Sequence, residues 1–410
     1  MSAFLYAWRS LWRNRRRTLI TLTAIALSIM VVQAFHNLAV GVYARMIDDG
    51  VRAGSGHLAV YRGGYLESRE ENLSFAPGEL AARIRTIAGV QRVLPRVYLP
   101  ALAQSSSDSR GILLIGVDPE AERAVNPFLK KLPEDGMLRD LDGRDAVIGR
   151  KLLGDLKLAV GRKLVVTAQH RDGTLHSELL RVRGVVETGI ADVDGSLLMV
   201  GRERAALLAG MPGEVHELAI ILDRAENDRR VSPALAALTG SRPELAAVSW
   251  KEAMPNLANA IKLDYASQKF IFIIILMIVT IGVVNTLLMS VMERLREFGV
   301  ILALGSSPMR LRRMVLLEAL LLGLAAALLG SILGALFTWY LVETGIDLKD
   351  FIPETMEFGG VVFDPVLRAA WDVSWMARIA LYVVGLTLLA ALYPAIKAGR
   401  ITPVEAMRHH

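Results

Sequence analysis

Two histidines on either side of an Asp-Gly dipeptide are the side chains in this sequence that could most readily bind a metal ion. His170 and His176 flank Asp172-Gly173, which is a strong signal for the two-residue turn of a β-hairpin. Such a turn pairs His170 with Leu175 and leaves His176 on the opposite face. Two histidines without a third donor are weak evidence for a metal site. The sequence therefore predicts no bound metal.

Motifs for nucleotide binding and covalent catalysis are missing from the sequence. Residues 143–151 (GRDAVIGRK) come nearest to a phosphate-binding loop, but they have five residues between the glycines and lack the Lys-Ser/Thr ending. Neither H-E-x-x-H nor G-x-S-x-G occurs. We therefore predict no catalytic residues, no cofactor in this chain and no enzyme activity.

Long uncharged segments predict that the chain spans a membrane. Residues 270–292 run for 23 residues without Lys, Arg, Asp or Glu, and a bilayer core needs roughly 20 apolar residues per helix. Residues 18–44, 319–342 and 379–396 are three further runs without Lys, Arg, Asp or Glu, and the first is too long for the apolar part of a cleaved signal peptide. The predicted spans are residues 18–44, 268–292, 314–342 and 374–396.

Basic residues predict the orientation of these spans. Residues 1–17 hold five Arg and no acid, the 293–313 loop holds five Arg against two Glu, and the 397–410 tail adds further bases. The 343–373 loop instead holds seven acids and two bases. Because Lys/Arg excess marks the cytoplasmic side, both termini and the 293–313 loop are predicted to be cytoplasmic, in a bacterial inner membrane. The net charge of +6 then lies beside anionic lipid and requires no nucleic acid partner.

Residues 45–267 are long enough to form a domain on the outer, periplasmic side. Short strands alternate with short helices in this segment without a long parallel run, so we predict an α+β fold. The chain has no cysteine, which excludes disulfides and lipid attachment at a cysteine. We also expect a helix over 77–90 and a helix over 251–268 that continues into the second span.

The loop after the second span has the pattern of a short amphipathic helix. Val291, Leu295, Phe298 and Leu302 recur at helical spacing, and Gly305 offers a stop. Ser307 followed by Pro308 is a good N-cap and first position for the next helix. Taken alone, this pattern is more typical of a helix that rests on lipid headgroups.

At this point the sequence resembles the FtsX-like/MacB-like permeases of ABC transporters, which include lipoprotein-releasing permeases of the LolC/LolE type. The resemblance rests on residues 285–314 (NTLLMSVMERLREFGVILALGSSPMRLRRM) and residues 393–408 (YPAIKAGRITPVEAMR). Leu302 and Thr402 depart from the basic and Asp/Asn residues of many members. The resemblance implies an α-helical membrane protein with four transmembrane helices and a large α+β periplasmic domain between the first two, as in type VII ABC exporters.

The family resemblance also implies partners and sites. Two copies of a separate ATPase, which bind the ATP and Mg²⁺, would sit under a homodimer or heterodimer of permeases. Residues 293–305 would form the coupling helix. The residues implied to contact the ATPase are Glu293, Arg296, Glu297, Gly299, Ala303, Leu304, Gly305 and Ser306.

Three polar residues near the outer end of the first span form a candidate cargo cavity. Gln33, His36 and Asn37 either face a cavity of the dimer or reach interfacial water, and both interpretations stay open. Asn285 and Thr286 are expected to tie helices together.

Three functions fit the resemblance. One is mechanical release of lipoprotein or lipid-linked cargo from the inner membrane, with or without a periplasmic carrier. The second is MacB-like efflux of peptides or amphiphiles with a periplasmic adaptor, and the third is FtsX-like regulation of a periplasmic enzyme. The short hairpin around Asp172-Gly173 leaves little room for an extended carrier-binding loop.

Overall fold

The computed structural model describes residues 12–348, 357–358, 361–362 and 366–400. The chain divides into two compact units. The helical unit comprises Met1–Tyr43, Leu263–Asp350 and Val366–His410, and the globular unit comprises Ala44–Lys262 and Phe351–Pro365.

Thirteen α-helices occur in the described part of the chain, and four of them are long. They are α1 Arg15–Ala53, α2 Tyr65–Ser68, α3 Gly78–Arg85, α4 Pro119–Arg123, α5 Arg150–Asp155, α6 Ala191–Ser196, α7 Arg202–Leu208, α8 Asp228–Thr239, α9 Trp250–Ala253, α10 Pro255–Glu293, α11 Leu295–Ala303, α12 Pro308–Glu343 and α13 Val373–Ala398.

The helices α1, α10, α12 and α13 are each long and apolar enough to cross a membrane, which confirms the four predicted spans. At about 1.5 Å per residue, the 39 residues of α1 extend for roughly 58 Å, so this helix is longer than a bilayer core is thick. Small residues let the helices approach closely. A Cβ atom on Gly330 of α12 would lie 2.8 Å from the carbonyl oxygen of Ala26 in α1.

The globular unit is built on one mixed sheet of nine strands. These are β1 Leu58–Arg62, β2 Val90–Gln104, β3 Ser109–Val117, β4 Asp145–Gly149, β5 Lys163–Gln169, β6 Leu175–Val186, β7 Leu197–Gly201, β8 Glu217–Leu222 and β9 Leu245–Ser249. Four two-residue strands follow in the later loop: β10 Ile346–Asp347, β11 Glu357–Phe358, β12 Val361–Val362 and β13 Val366–Leu367.

The long strand β2 joins two parts of this sheet. Its second half pairs with β3 and β5, so that β2, β3, β7, β4, β6 and β5 form a closed ring of strands. Its first half pairs with β8, which continues to β1 and β9. Only β3–β7 and β4–β6 are parallel among the pairs of this sheet, and short helices cover it, so the predicted α+β class is confirmed.

Several expected local features differ in detail. The helix expected over 77–90 ends after Arg85, because Thr86 closes it and Val90 already starts β2. The helix expected over 251–268 is broken at Met254, where α9 ends before Pro255 begins α10. Proline is favoured at a first helical position because it lacks the amide proton that an internal position must donate.

The predicted two-residue hairpin turn is wrong. Gly173 N donates to His170 O and His170 N donates to Thr174 O, so the loop has three residues and Gly173 adopts φ +85°. Ala168 therefore lies opposite His176 in the ladder. The extra loop residue moves every partner in β6 by one position, which brings His170 and His176 to the same face.

Candidate coupling site

The segment between the second and third long helices forms the predicted short helix. The α10 helix ends at Glu293, Arg294 leaves helical geometry at φ −105° and ψ 12°, and α11 follows immediately. At its other end Gly305 N donates to Leu302 O and Ser306 N donates to Ile301 O. This pair of bonds with a left-handed residue is a Schellman cap, and Gly305 supplies it with φ +88°. The predicted helix stop at Gly305 is confirmed.

The next helix starts where the sequence predicts. Ser307 has extended backbone (φ −71°, ψ 143°) and Pro308 is the first residue of α12, although the Ser307 side chain makes no capping hydrogen bond. Helices α11 and α12 are therefore joined by a tight four-residue connection, residues 304–307.

One face of α11 is buried against the ends of α12 and α13. Phe298 is fully buried and lies in a cluster with Leu311, Val315 and Ala395. Gly299 is buried beside it. The predicted apolar face of this helix is confirmed, and it fixes α11 to the helical unit.

The end of α11 is apolar and exposed. Leu304 is 82% exposed and Val300 is 53% exposed, and Ala303 and Gly305 are exposed with them. Leu304 lies outside the predicted spans, so the hydrocarbon core of a membrane does not account for its exposure. This exposed end of α11, defined by Val300, Ala303 and Leu304, is therefore a candidate contact surface.

The two acidic residues of the segment are bound to the first helix. Glu293 accepts hydrogen bonds from Arg17 at 2.8 Å and 3.1 Å and from Asn14 at 2.5 Å. Glu297 accepts from Arg13. Burial raises the pKa of Glu297, but hydrogen bonds from Arg13 and Arg294 outweigh this and hold the pKa below its ordinary value. Both carboxylates are thus engaged within the chain.

Arg294 forms a buried ion pair at the junction of α10 and α11. Its Nη1 donates to Glu318 at 2.6 Å, and both side chains are only 4% exposed. The guanidinium also donates to Glu297 at 3.3 Å and lies 4.8 Å from the centre of the Phe298 ring. Glu318 of α12 thus has an arginine partner within the helical unit.

The structure places Gln33, His36 and Asn37 inside the helical unit. Gln33 donates to Ser331 and to the Met376 carbonyl, and Asn37 donates to Thr338, with both side chains fully buried. His36 is also buried.

His36 stacks on Trp375 at 3.7 Å between ring centres, and its Nε2 is 3.4 Å from Asp372. These contacts give all three polar residues a packing role between helices of one chain. Their role in a cargo cavity stays a prediction. Thr286 hydrogen-bonds Thr21 at 2.8 Å, which confirms that it ties two helices together.

Sequence reasoning missed the partners of the N-terminal arginines. Arg13 and Arg17 contribute to the charge bias that predicts orientation, and the structure adds that they bind Glu297 and Glu293. A single sequence shows opposite charges in the two segments but gives no signal for which residues pair. The first eleven residues and residues 401–410, including Thr402, lie outside the described part.

Comparison with known proteins agrees with this architecture. Residues 18–238 match the MacB-like periplasmic core domain family, and residues 269–403 match the FtsX-like permease C-terminal family. The lipoprotein-releasing system transmembrane protein LolC of Neisseria meningitidis is 27% identical over 78% of this chain and 79% of its own length. The protein LolE of Haemophilus influenzae is 21% identical over 81% of this chain and 80% of its own length.

Among solved structures, the periplasmic region of MacB from Actinobacillus actinomycetemcomitans covers 50% of this chain and 94% of its own length, with 14% identity and a TM-score of 0.36. The core-domain match alone extends over more than half of the 410 residues. With four membrane-spanning helices around that domain and an FtsX-like C-terminal part, the chain belongs to the FtsX-like, MacB-like family of ABC transporter permeases.

Proposed function

We propose that this permease couples ATP hydrolysis by a separate ATPase to the release of lipoprotein or other lipid-linked cargo from the bacterial inner membrane. Relatives that align with about four-fifths of the chain are named for lipoprotein release. Two ATPase subunits bind the ATP and Mg²⁺, and two permeases form the membrane part. The cargo leaves the outer face of the membrane when the permeases move.

The exposed end of α11 is the observation that carries the proposed ATPase contact. Exposing an apolar surface to water costs free energy, and such surfaces often mark the place where a partner binds. Leu304 and Val300 supply such a surface, and the Gly305 cap holds it in one shape. We assign Arg296, Ala303, Leu304, Gly305 and Ser306 to direct contact with the ATPase.

The other predicted contact residues act by positioning. Gly299 lies on the buried face of α11, away from the exposed end. Glu297 of α11 pairs with Arg13, just before α1, and Glu293 at the end of α10 pairs with Arg17 of α1. A movement of α11 driven by the ATPase is therefore passed to α1 through these ion pairs.

Two variants of the exposed end test the proposal. Leu304→Asp places a carboxylate in an apolar contact, and burying an unpaired charge costs several kcal/mol, so we expect the ATPase to be lost on co-purification. Gly305→Val meets no atom within 4 Å, but its φ of +88° costs roughly 1–2 kcal/mol for a residue with a Cβ atom. Both variants should insert in the membrane normally.

Leu175→Asp is the matched control, because Leu175 is 74% exposed in the globular unit. It should leave both the ATPase and transport unchanged. Transport is measured as ATP-dependent release of a lipid-anchored protein from proteoliposomes that hold the permease and its ATPase. If both Leu304→Asp and Gly305→Val still recover the ATPase fully, α11 is a helix on the lipid surface and not the ATPase contact. If the parent permease binds the ATPase but releases no lipid-anchored protein, the proposed cargo is wrong.

A charge exchange tests the positioning residues. Glu293→Arg should lower release several-fold while the ATPase still co-purifies, because the contact surface is intact and its link to α1 is not. Arg17→Glu in the same chain restores an opposite-charge pair and should restore release. Failure of the exchange to rescue would show that this ion pair does not transmit movement.

Orientation is part of the proposal and is supported by the basic residues before α1 and between α10 and α12. A reporter that is active only outside the cytoplasm should be active when fused at Asp172, and a cytoplasmic reporter should be active when fused after Gly305. A fusion at Glu354 in the 343–373 loop should behave like the fusion at Asp172, although Glu354 lies outside the described residues. Reversed activities would overturn the assignment of both termini to the cytoplasm.

A further inference from the structure

The tip of the β5–β6 hairpin brings together three side chains that can bind a metal. His170 lies opposite Thr174, and side chains alternate along a strand, so His176 shares the face of His170. The two imidazole rings are stacked with their centres 4.3 Å apart and their planes at 19°. The register set by the three-residue loop creates this pair.

Asp172 adds a carboxylate to the histidine pair. Its Oδ1 lies 3.0 Å from His170 Nδ1 and accepts hydrogen bonds from Thr174 N at 2.9 Å and Thr174 Oγ1 at 2.5 Å. Ligand atoms of His170, Asp172 and His176 all lie within 4.8 Å of one another, the one such group of three or more in the described part of the chain. Asp172 makes these contacts through Oδ1, and its Oδ2 can turn to a metal ion.

The hairpin tip is held against the rest of the globular unit. Arg171 N donates to the carbonyl of Ala209 at 3.0 Å, and its guanidinium binds Glu214 at 2.7 Å and Ser74 at 2.8 Å. These bonds draw the positive charge of Arg171 toward Glu214. The same bonds fix the loop that carries the three donors, and a metal site built on fixed backbone needs less ordering when the ion binds.

A glycine sets the orientation of the first histidine. Gly210 has φ +72°, and a Cβ atom there would lie 2.2 Å from His170 Nε2. The Nε2 edge of the ring thus packs on bare backbone, and Nδ1 is turned to Asp172. Thr174, which hydrogen-bonds the carboxylate, orients the second donor as outer partners commonly do in metal sites.

We propose that His170, Asp172 and His176 bind one divalent transition-metal ion of the Zn²⁺ class. Imidazole favours Zn²⁺, Cu²⁺ and Ni²⁺, whereas Mg²⁺ and Ca²⁺ prefer oxygen ligands. Zinc–nitrogen bonds of about 2.0–2.1 Å require the three ligand atoms to lie nearer to one another than their present separations of up to 4.8 Å. The side chains of Asp172 and His176 are exposed and can rotate to close this gap. Three protein ligands leave an open position for water.

Zinc binding to the full chain tests the site. The chain, treated with a chelator and held in detergent micelles, is dialysed against Zn²⁺, and bound metal is counted against protein. We expect one ion per chain with micromolar or tighter affinity, weakened at least tenfold by His170→Ala/His176→Ala and by Asp172→Asn. The matched control is His409→Ala/His410→Ala, which removes two histidines elsewhere and should keep the ion.

A second measurement locates the ion and guards against misfolding. Zn²⁺ should protect His170 and His176 from a histidine-modifying reagent, as read by mass spectrometry, while His409 and His410 stay reactive. Size exclusion and thermal unfolding of the variants without metal should match the parent, since the altered side chains are at an exposed tip. Equal zinc binding by parent and His170→Ala/His176→Ala, or loss of the ion in His409→Ala/His410→Ala, would overturn the proposal.

Discussion

The buried pair between Arg294 and Glu318 gives the sharpest energetic prediction for the helical unit. The atoms are 2.6 Å apart and each side chain is 4% exposed, so water cannot replace a lost partner. Glu318→Leu removes the 2.6 Å partner of Arg294, which keeps contacts such as the 3.3 Å hydrogen bond to Glu297 and the face of Phe298. Removing one member of such a pair costs about 3–5 kcal/mol, and the remaining contacts place Glu318→Leu near the lower value.

Replacing both members should cost far less than replacing one. Arg294→Met/Glu318→Leu removes both charges and fills the space with apolar groups, so we expect its free energy of unfolding to lie within about 1 kcal/mol of the parent. The assay is a double-mutant cycle on reversible unfolding in mixed detergent and SDS micelles. At about 1.4 kcal/mol per tenfold, Glu318→Leu should change the unfolding equilibrium constant by more than a hundredfold.

An exposed pair with the same separation is the control for this cycle. Arg150 and Glu187 are also 2.6 Å apart, but their side chains are 60% and 59% exposed. Glu187→Leu should therefore cost less than about 1 kcal/mol. The reasoning is refuted if Glu318→Leu costs no more than Glu187→Leu, or if the double replacement costs the sum of its two single replacements.

Two further predictions concern packing and pH. Gly330→Ala brings a Cβ atom within 2.8 Å of the Ala26 carbonyl and should destabilise the helical unit by about 1–3 kcal/mol, whereas Gly385→Ala meets nothing within 4 Å and should be neutral in the same unfolding assay. Burial lowers the pKa of His57 and His216 from the ordinary 6.5, so the unfolded chain takes up protons first. The globular unit should be fully stable above pH 6.5 and lose stability as pH falls below it, and a His216→Asn variant that kept the whole slope would contradict this.

Features set by neighbouring residues could be predicted from the sequence. The four spans follow from uncharged length alone, and the stop at Gly305 follows from the need for positive φ after the last helical turn. The buried face of α11 follows from the spacing of Phe298 and Leu302. In each case the decisive interaction joins residues within a few positions of one another.

The hairpin prediction failed because an Asp-Gly dipeptide fits more than one loop. A two-residue turn and a three-residue loop with glycine in its last position share these residues, and they differ by one step in register. Here Arg171, Asp172 and Gly173 all lie in the loop, and the bonds from Arg171 to Ala209 and Glu214 favour that form. A contact from another part of the domain therefore decided which face His176 occupies.

Long-range pairs were beyond prediction for a related reason. Arg17 and Glu293 are 276 residues apart, and composition assigns each a charge without assigning it a partner. Arg17 therefore has two roles. Its charge contributes to the predicted orientation, and its side chain binds Glu293, next to the helix that we propose to contact the ATPase. Arg17 lies in the first turn of α1, which is one uninterrupted helix from Arg15 to Ala53. If the proposed coupling runs through this ion pair, variants of Arg17 should lower release while the ATPase still co-purifies.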